Sequence, residues 1–131
     1  MVDLKDLLQS ADWKTEKHVP VIEGPDKINK GEVLRLDISV GKQIPHPNTT
    51  EHHIRSIELY FLPAGEKFPY QVARFEFNTH GESVQGPNTS TVFSEPRITT
   101  FFKTEKSGLI MATAYCNIHG IWKSEKEVSV G

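Results

Sequence analysis

Cysteine is nearly absent: Cys116 is the only one among 131 residues. A lone thiol excludes an intramolecular disulfide framework and any structural metal site needing two or more thiolates from one chain. Long apolar runs are also missing, and no stretch approaches the length of a membrane-spanning helix. The start, Met1-Val2-Asp3-Leu4-Lys5-Asp6-Leu7-Leu8, has neither a basic leading segment nor an uninterrupted apolar one. No signal peptide is therefore expected, and a cytoplasmic location is the default expectation. An excess of either charge is lacking as well: 15 basic against 17 acidic side chains leave a net charge of −2. Such a balance gives no electrostatic footprint for nucleic acid or for an anionic membrane. No repeat, low-complexity tract or compositional break divides the sequence, so a single domain over residues 1–131 is expected.

Eight prolines and nine glycines, spread over the whole length, cut the chain into short segments and point to an all-β fold. From Val33 to Val40 the apolar residues Leu34, Leu36, Ile38 and Val40 alternate with Arg35, Asp37 and Ser39, as a strand with one buried face requires. Further strands are expected over Ile54–Leu62, Tyr70–Phe77, Ile98–Lys103, Leu109–Tyr115 and Glu127–Val130. Between Val72 and Phe75 the apolar parity switches, which predicts a bulge. One short amphipathic helix is expected over Asp3–Gln9, where Leu4, Leu7 and Leu8 share a face and would close off one end of a sheet.

Five of the six histidines share three loop-like stretches with the only cysteine. These are Glu16-Lys17-His18-Val19-Pro20, Pro45-His46-Pro47-Asn48-Thr49-Thr50-Glu51-His52-His53 and Cys116-Asn117-Ile118-His119-Gly120. Cys116 and His119, three apart and followed by glycine, can bend round one ion and offer it a thiolate and an imidazole. His46 and His52 lie six apart in a loop stiffened by two prolines, so both can face one point, and His18 adds an imidazole from far away in sequence. Each signal alone says little; their gathering with the single thiol says more. Structural zinc normally takes more sulfur than one thiolate. Blue copper takes two His and one Cys with a weak axial Met, usually beyond the His that follows the Cys, and neither Met1 nor Met111 lies there. Iron accepts imidazoles together with one strongly donating axial thiolate, so a mononuclear non-haem iron (Fe) site is the sharpest reading.

The histidine segments, taken with Ile44-Pro45-His46, His53-Ile54, His80-Gly81-Glu82-Ser83-Val84 and Tyr115-Cys116, resemble the superoxide reductases along nearly the whole chain. The resemblance implies an immunoglobulin-like seven-stranded β-barrel or sandwich and an iron with four equatorial imidazoles, those of His18, His46, His52 and His119. Cys116 would be the axial ligand. Larger members of the family, the desulfoferrodoxins, add an iron domain bound by four cysteines, which one cysteine cannot build, so the sequence is similar to the one-iron neelaredoxin type. The implied activity is one-electron reduction of superoxide to hydrogen peroxide, with the iron re-reduced by a donor such as rubredoxin, and the implied assembly is a homotetramer.

By the same resemblance Glu16 is the carboxylate that closes the sixth position of the ferric site, and Lys17 steers superoxide and holds a proton-delivering water. Asn117 and Ile118 are expected to offer backbone N–H groups to the sulfur. His53, pointing away from His52 in an extended chain, and His80 are expected to be structural, and Trp122 to pack under the metal loop. Rival readings are a blue-copper-like electron-transfer protein and an immunoglobulin-type binding module with incidental histidines; dismutation is a possible side activity.

Overall fold

A computed structural model describes all residues, 1–131. Helix α1 (Leu4–Leu7) precedes eight strands: β1 (Pro20–Glu23), β2 (Lys27–Ile28), β3 (Leu34–Val40), β4 (Ile54–Pro63), β5 (Tyr70–Glu76), β6 (Arg97–Phe102), β7 (Gly108–Cys116) and β8 (Gly120–Val130). They form a three-stranded sheet, β1-β3-β6, facing a five-stranded sheet, β2-β8-β7-β4-β5. Every pairing is antiparallel except that of the two-residue β2 with the end of β8, so seven principal strands make the expected immunoglobulin-like sandwich.

Strand alternation builds the core between the sheets. Leu34, Leu36, Ile38 and Val40 of β3 face Ile57, Leu59 and Phe61 of β4 and Ile110, Ala112 and Ala114 of β7 within one apolar cluster. Two bulges adjust the register of β4. Leu59 pairs with Ala73 and Tyr60 with Gln71, which leaves Val72 as the extra residue where the parity switch predicted one. At the other end Ile54 pairs with Cys116 and Ser56 with Tyr115, so Arg55 is extra and both Ile54 and Ile57 turn inward. This second bulge lies beside the cysteine, where a local change of direction re-aims the chain into the preceding histidine loop.

Four elements differ from the sequence reading: β1 and β2 form where it predicts no strand, and α1 and β8 have other bounds. The helix is one turn, capped by the Asp3 side chain, and Leu4 and Leu7 are 64% and 56% exposed, so its apolar face does not close the sandwich. Gln9, expected in that helix, instead bridges to Trp122 in a parallel, strand-like contact. Strand β8 runs eleven residues rather than the four of Glu127–Val130. Its first half, Gly120–Lys126, is largely half-buried and lacks apolar alternation, with Lys123 and Glu125 paired at 3.1 Å.

Leu36→Ala, at a fully buried site, is expected to lower unfolding free energy by about 3 kcal/mol. Val84→Ala, fully exposed, should change it by less than about 0.5 kcal/mol, both read from urea denaturation.

Candidate metal centre

Cys116 reaches the site through its parity on β7. Ile110, Ala112, Ala114 and Cys116 are the inward residues of that strand, each no more than 1% exposed, so the sulfur emerges from the core at the strand's end. The chain turns through Asn117, Ile118 and His119 and enters β8 at Gly120, which pairs with Cys116. Gly120 adopts φ +82°, a conformation that suits glycine at the end of a three-residue hairpin loop. This turn brings His119 back to the sulfur: its Nδ1 is 3.9 Å from Sγ, and its amide N–H donates to Sγ at 3.4 Å.

Two other loops deliver imidazoles to the same point, one ahead of β1 with His18 and one between β3 and β4 with His46 and His52. Ring centroids are 4.8 Å apart for His18 and His46, 4.7 Å for His46 and His52, 5.0 Å for His52 and His119 and 4.8 Å for His119 and His18. His18 and His52 are 6.4 Å apart, so they stand across a diagonal of a near-square. His119 Nδ1 lies 3.1 Å from His18 Nε2 and 3.2 Å from His52 Nε2, while His46 Nε2 lies 3.5 Å from Sγ. The ligating atoms of His18, His52, Cys116 and His119 are all within 4.8 Å of one another, and His46 completes the ring of four. Sulfur and His18 are buried, His46 and His52 half-buried and His119 exposed, so the thiol marks the inner side of a centre at the surface.

Outer hydrogen bonds fix which nitrogen carries the proton. His18 Nδ1–H donates to the Glu16 carboxylate at 2.7 Å, and His46 Nδ1–H donates to the Pro47 carbonyl at 2.6 Å. Both Nε2 lone pairs are thereby left facing the centre. Burial pushes His46 down to about 4, aided by the charges of His18, His52 and Lys17 and against its bond to Pro47. His18 is lowered by burial, which outweighs Glu16, and His52 by burial and the charges of His119, His18 and Lys17. Burial acts to raise the Glu16 carboxyl, yet hydrogen bonds from the His18 amide and ring, with the charges of His18 and Lys17, leave it below its ordinary value.

Glu16 is therefore turned to His18 rather than standing among the five donors. Lys17 is half-buried, makes no ion pair, and acts electrostatically on His18, His46 and His52. His53 and His80 lie apart from the centre as a buried stacked pair, centroids 3.5 Å apart, tied to Thr49, Arg55, Phe77 and Asn48. Of the amides expected at the sulfur, that of Asn117 bonds the His53 carbonyl instead, and the one that reaches Sγ belongs to His119. The Asn117 side chain joins two ligand loops, accepting from His53 N–H at 2.9 Å and donating to the Glu51 carbonyl at 2.8 Å. Trp122 packs on the centre as expected, its indole stacked on His18. Arg55, Asn88 and Gln9 escaped the sequence reading, since each acts from outside any motif. Asn88 bonds Thr50 and Glu51 across to the histidine loop from a left-handed conformation, φ 56°.

The donor set fits a metal ion. Unprotonated nitrogens this close, beside a sulfur, would leave lone pairs facing one another unless a cation lies among them. Nitrogens about 2.1 Å from one ion and at right angles stand about 3.0 Å apart, close to the spacings observed. Four imidazoles in a square above one sulfur exceed the tetrahedral set of structural zinc and leave one face free.

Comparison with known proteins shows the family of the chain. Residues 10–125 match the family model described as desulfoferrodoxin. The superoxide reductase of Pyrococcus furiosus is 58% identical over 122 residues, covering 93% of this chain and 96% of that protein. The neelaredoxin of Megalodesulfovibrio gigas is 49% identical over 125 residues, 95% and 96% of the two chains. The solved structure of the reduced superoxide reductase (neelaredoxin) of Archaeoglobus fulgidus superposes with a TM-score of 0.87 at 58% identity, covering 94% of this chain and 98% of that one. The chain belongs to the desulfoferrodoxin family, with the superoxide reductases and neelaredoxins that share its length.

Proposed function

We propose that the protein is a superoxide reductase whose single domain, residues 1–131, holds one non-haem iron on His18, His46, His52, His119 and Cys116. The observation that carries this reading is the square of imidazole nitrogens with a buried thiol on its inner side and Lys17 alongside. When bound, the iron supplies the one electron that, with two protons, converts superoxide to hydrogen peroxide, and a donor such as rubredoxin returns it to the ferrous state. Four neutral imidazoles and one thiolate leave a divalent ion with a net charge of about +1, which favours the approach of a small anion.

The residues of the chain divide the remaining work. Cys116 would supply the one thiolate of the set, and its electron donation would tune the potential of an ion held there. The His119 amide bonded to the sulfur moderates that donation. Lys17 attracts the superoxide anion, and its Nζ holds the water that delivers a proton at the open face. Glu16 orients His18 through its bond to Nδ1–H and, by the family resemblance, would be the carboxylate able to serve as a further ligand. Detoxification of superoxide by a homotetramer belongs to the same reading and is supported by the family resemblance, and a cytoplasmic setting by the charged opening segment.

Blue copper fits less well. That chemistry uses two imidazoles, a thiolate and a weak methionine. Here four imidazoles surround the point, and Met111 pairs with Glu125 in mid-strand, about five residues or 16 Å along β7 from Cys116.

Elemental analysis should give about one iron per chain, with a sulfur-to-iron absorption band on oxidation that disappears in Cys116→Ser. Superoxide supplied to the reduced protein should be consumed with formation of peroxide in excess of any dioxygen; copper in place of iron, or one dioxygen for every peroxide, would overturn the reading. Lys17→Ala should slow the second-order reaction with superoxide about tenfold or more and flatten its dependence on ionic strength, as measured by pulse radiolysis.

A further inference from the structure

The exposed edge of the centre is held by residues outside the ligand set. His119 is the one exposed ligand, so burial does little to fix it, and its ring is placed mainly by its own backbone. That backbone is pinned on both sides. Its N–H donates to Cys116 Sγ, and its carbonyl accepts two further bonds, from Trp122 Nε1–H and from the Gln9 side-chain amide, each at 3.2 Å. Gln9 is itself clipped to the start of β8, its N–H donating to the Ile121 carbonyl at 3.0 Å and its carbonyl accepting from Lys123 N–H at 2.8 Å.

The indole that bonds the His119 carbonyl also lies flat on the His18 ring, with centroids 4.8 Å apart and planes 12° from parallel. Trp122 thus touches the ring of His18 and the backbone of His119, two ligands whose inward nitrogens are 3.1 Å apart. Its face opposes tilting of His18 about the bond to Glu16, and its N–H opposes movement of the turn that carries His119.

We infer that Trp122 and Gln9 are positioning residues that hold the His18–His119 edge of the centre, making the segment before residue 10 a clamp on the metal site. The inference rests on the iron reading above. Outer partners that orient ligands typically alter metal affinity by about 10–100-fold when removed, without entering the coordination sphere. Simple packing would affect stability alone, and that difference makes the role testable.

Wild type, Trp122→Phe, Gln9→Leu and the double variant would be loaded with ferrous iron without air. Trp122→Phe keeps an aromatic face for His18 and loses the N–H, while Gln9 is exposed, so its replacement should be tolerated by the fold. Three quantities would be read: the rate of iron loss to excess chelator, the position of the sulfur-to-iron band after oxidation, and the midpoint potential. Iron loss in the double variant is expected to be about tenfold faster, with intermediate rates in the single variants, a displaced band and potential, and an unchanged melting temperature of the metal-free protein. Wild-type release with an unmoved band and potential would overturn the clamp while leaving the iron reading intact. Faster release accompanied by a matching loss of metal-free stability would assign the residues to packing and overturn it as well. A wild-type protein that takes up no ferrous iron would remove both readings.

Discussion

Everything in this structure turns on the five donors that the fold brings to one point. His18, His46, His52 and His119 aim nitrogen at one point beside the Cys116 sulfur, and burial holds the first three in their neutral, ligating form. Donors packed this way are satisfied by a cation and by little else. The β-sandwich fixes this cluster because the sulfur is supplied by a core strand. Cys116 continues the inward series Ile110, Ala112 and Ala114, so moving it means breaking the packing of both sheets.

The ligands are secured to different degrees, and the gradient follows depth. His18 is buried, bonded to a carboxylate and covered by an indole. His46 relies on the carbonyl of the next residue, and its loop-mate His52 hangs from a network in which Asn117 and Asn88 hold Glu51. His119 stands exposed at the rim. A firm inner side and a more open outer one suit a centre that must keep its metal while admitting a small anion, and the unpaired Lys17 lends that entrance its positive charge.

Much of this was legible in the sequence because the signals were local. Strict alternation at Leu34–Val40 defined β3, the parity switch at Val72 marked the bulge, and Cys116-x-x-His119-Gly120 announced a turn that could wrap an ion. What escaped depends on partners distant in sequence. The first half of β8, with Ile121 and Trp122 adjacent, carries no apolar alternation, and its ladder to β7 rather than a buried face makes it a strand. The leucines of α1 have helical spacing, yet no surface receives Leu4 and Leu7. Gln9 belongs to no motif, and its importance arises only from contacts across 110 positions.

X-ray absorption at the iron edge of the purified, reduced protein tests the central claim most directly, because it counts the atoms around the metal. One sulfur together with four nitrogen neighbours, and loss of the sulfur in Cys116→Ser, is the result this account requires. A shell of oxygen and nitrogen without sulfur, or with sulfur retained in the variant, would contradict it.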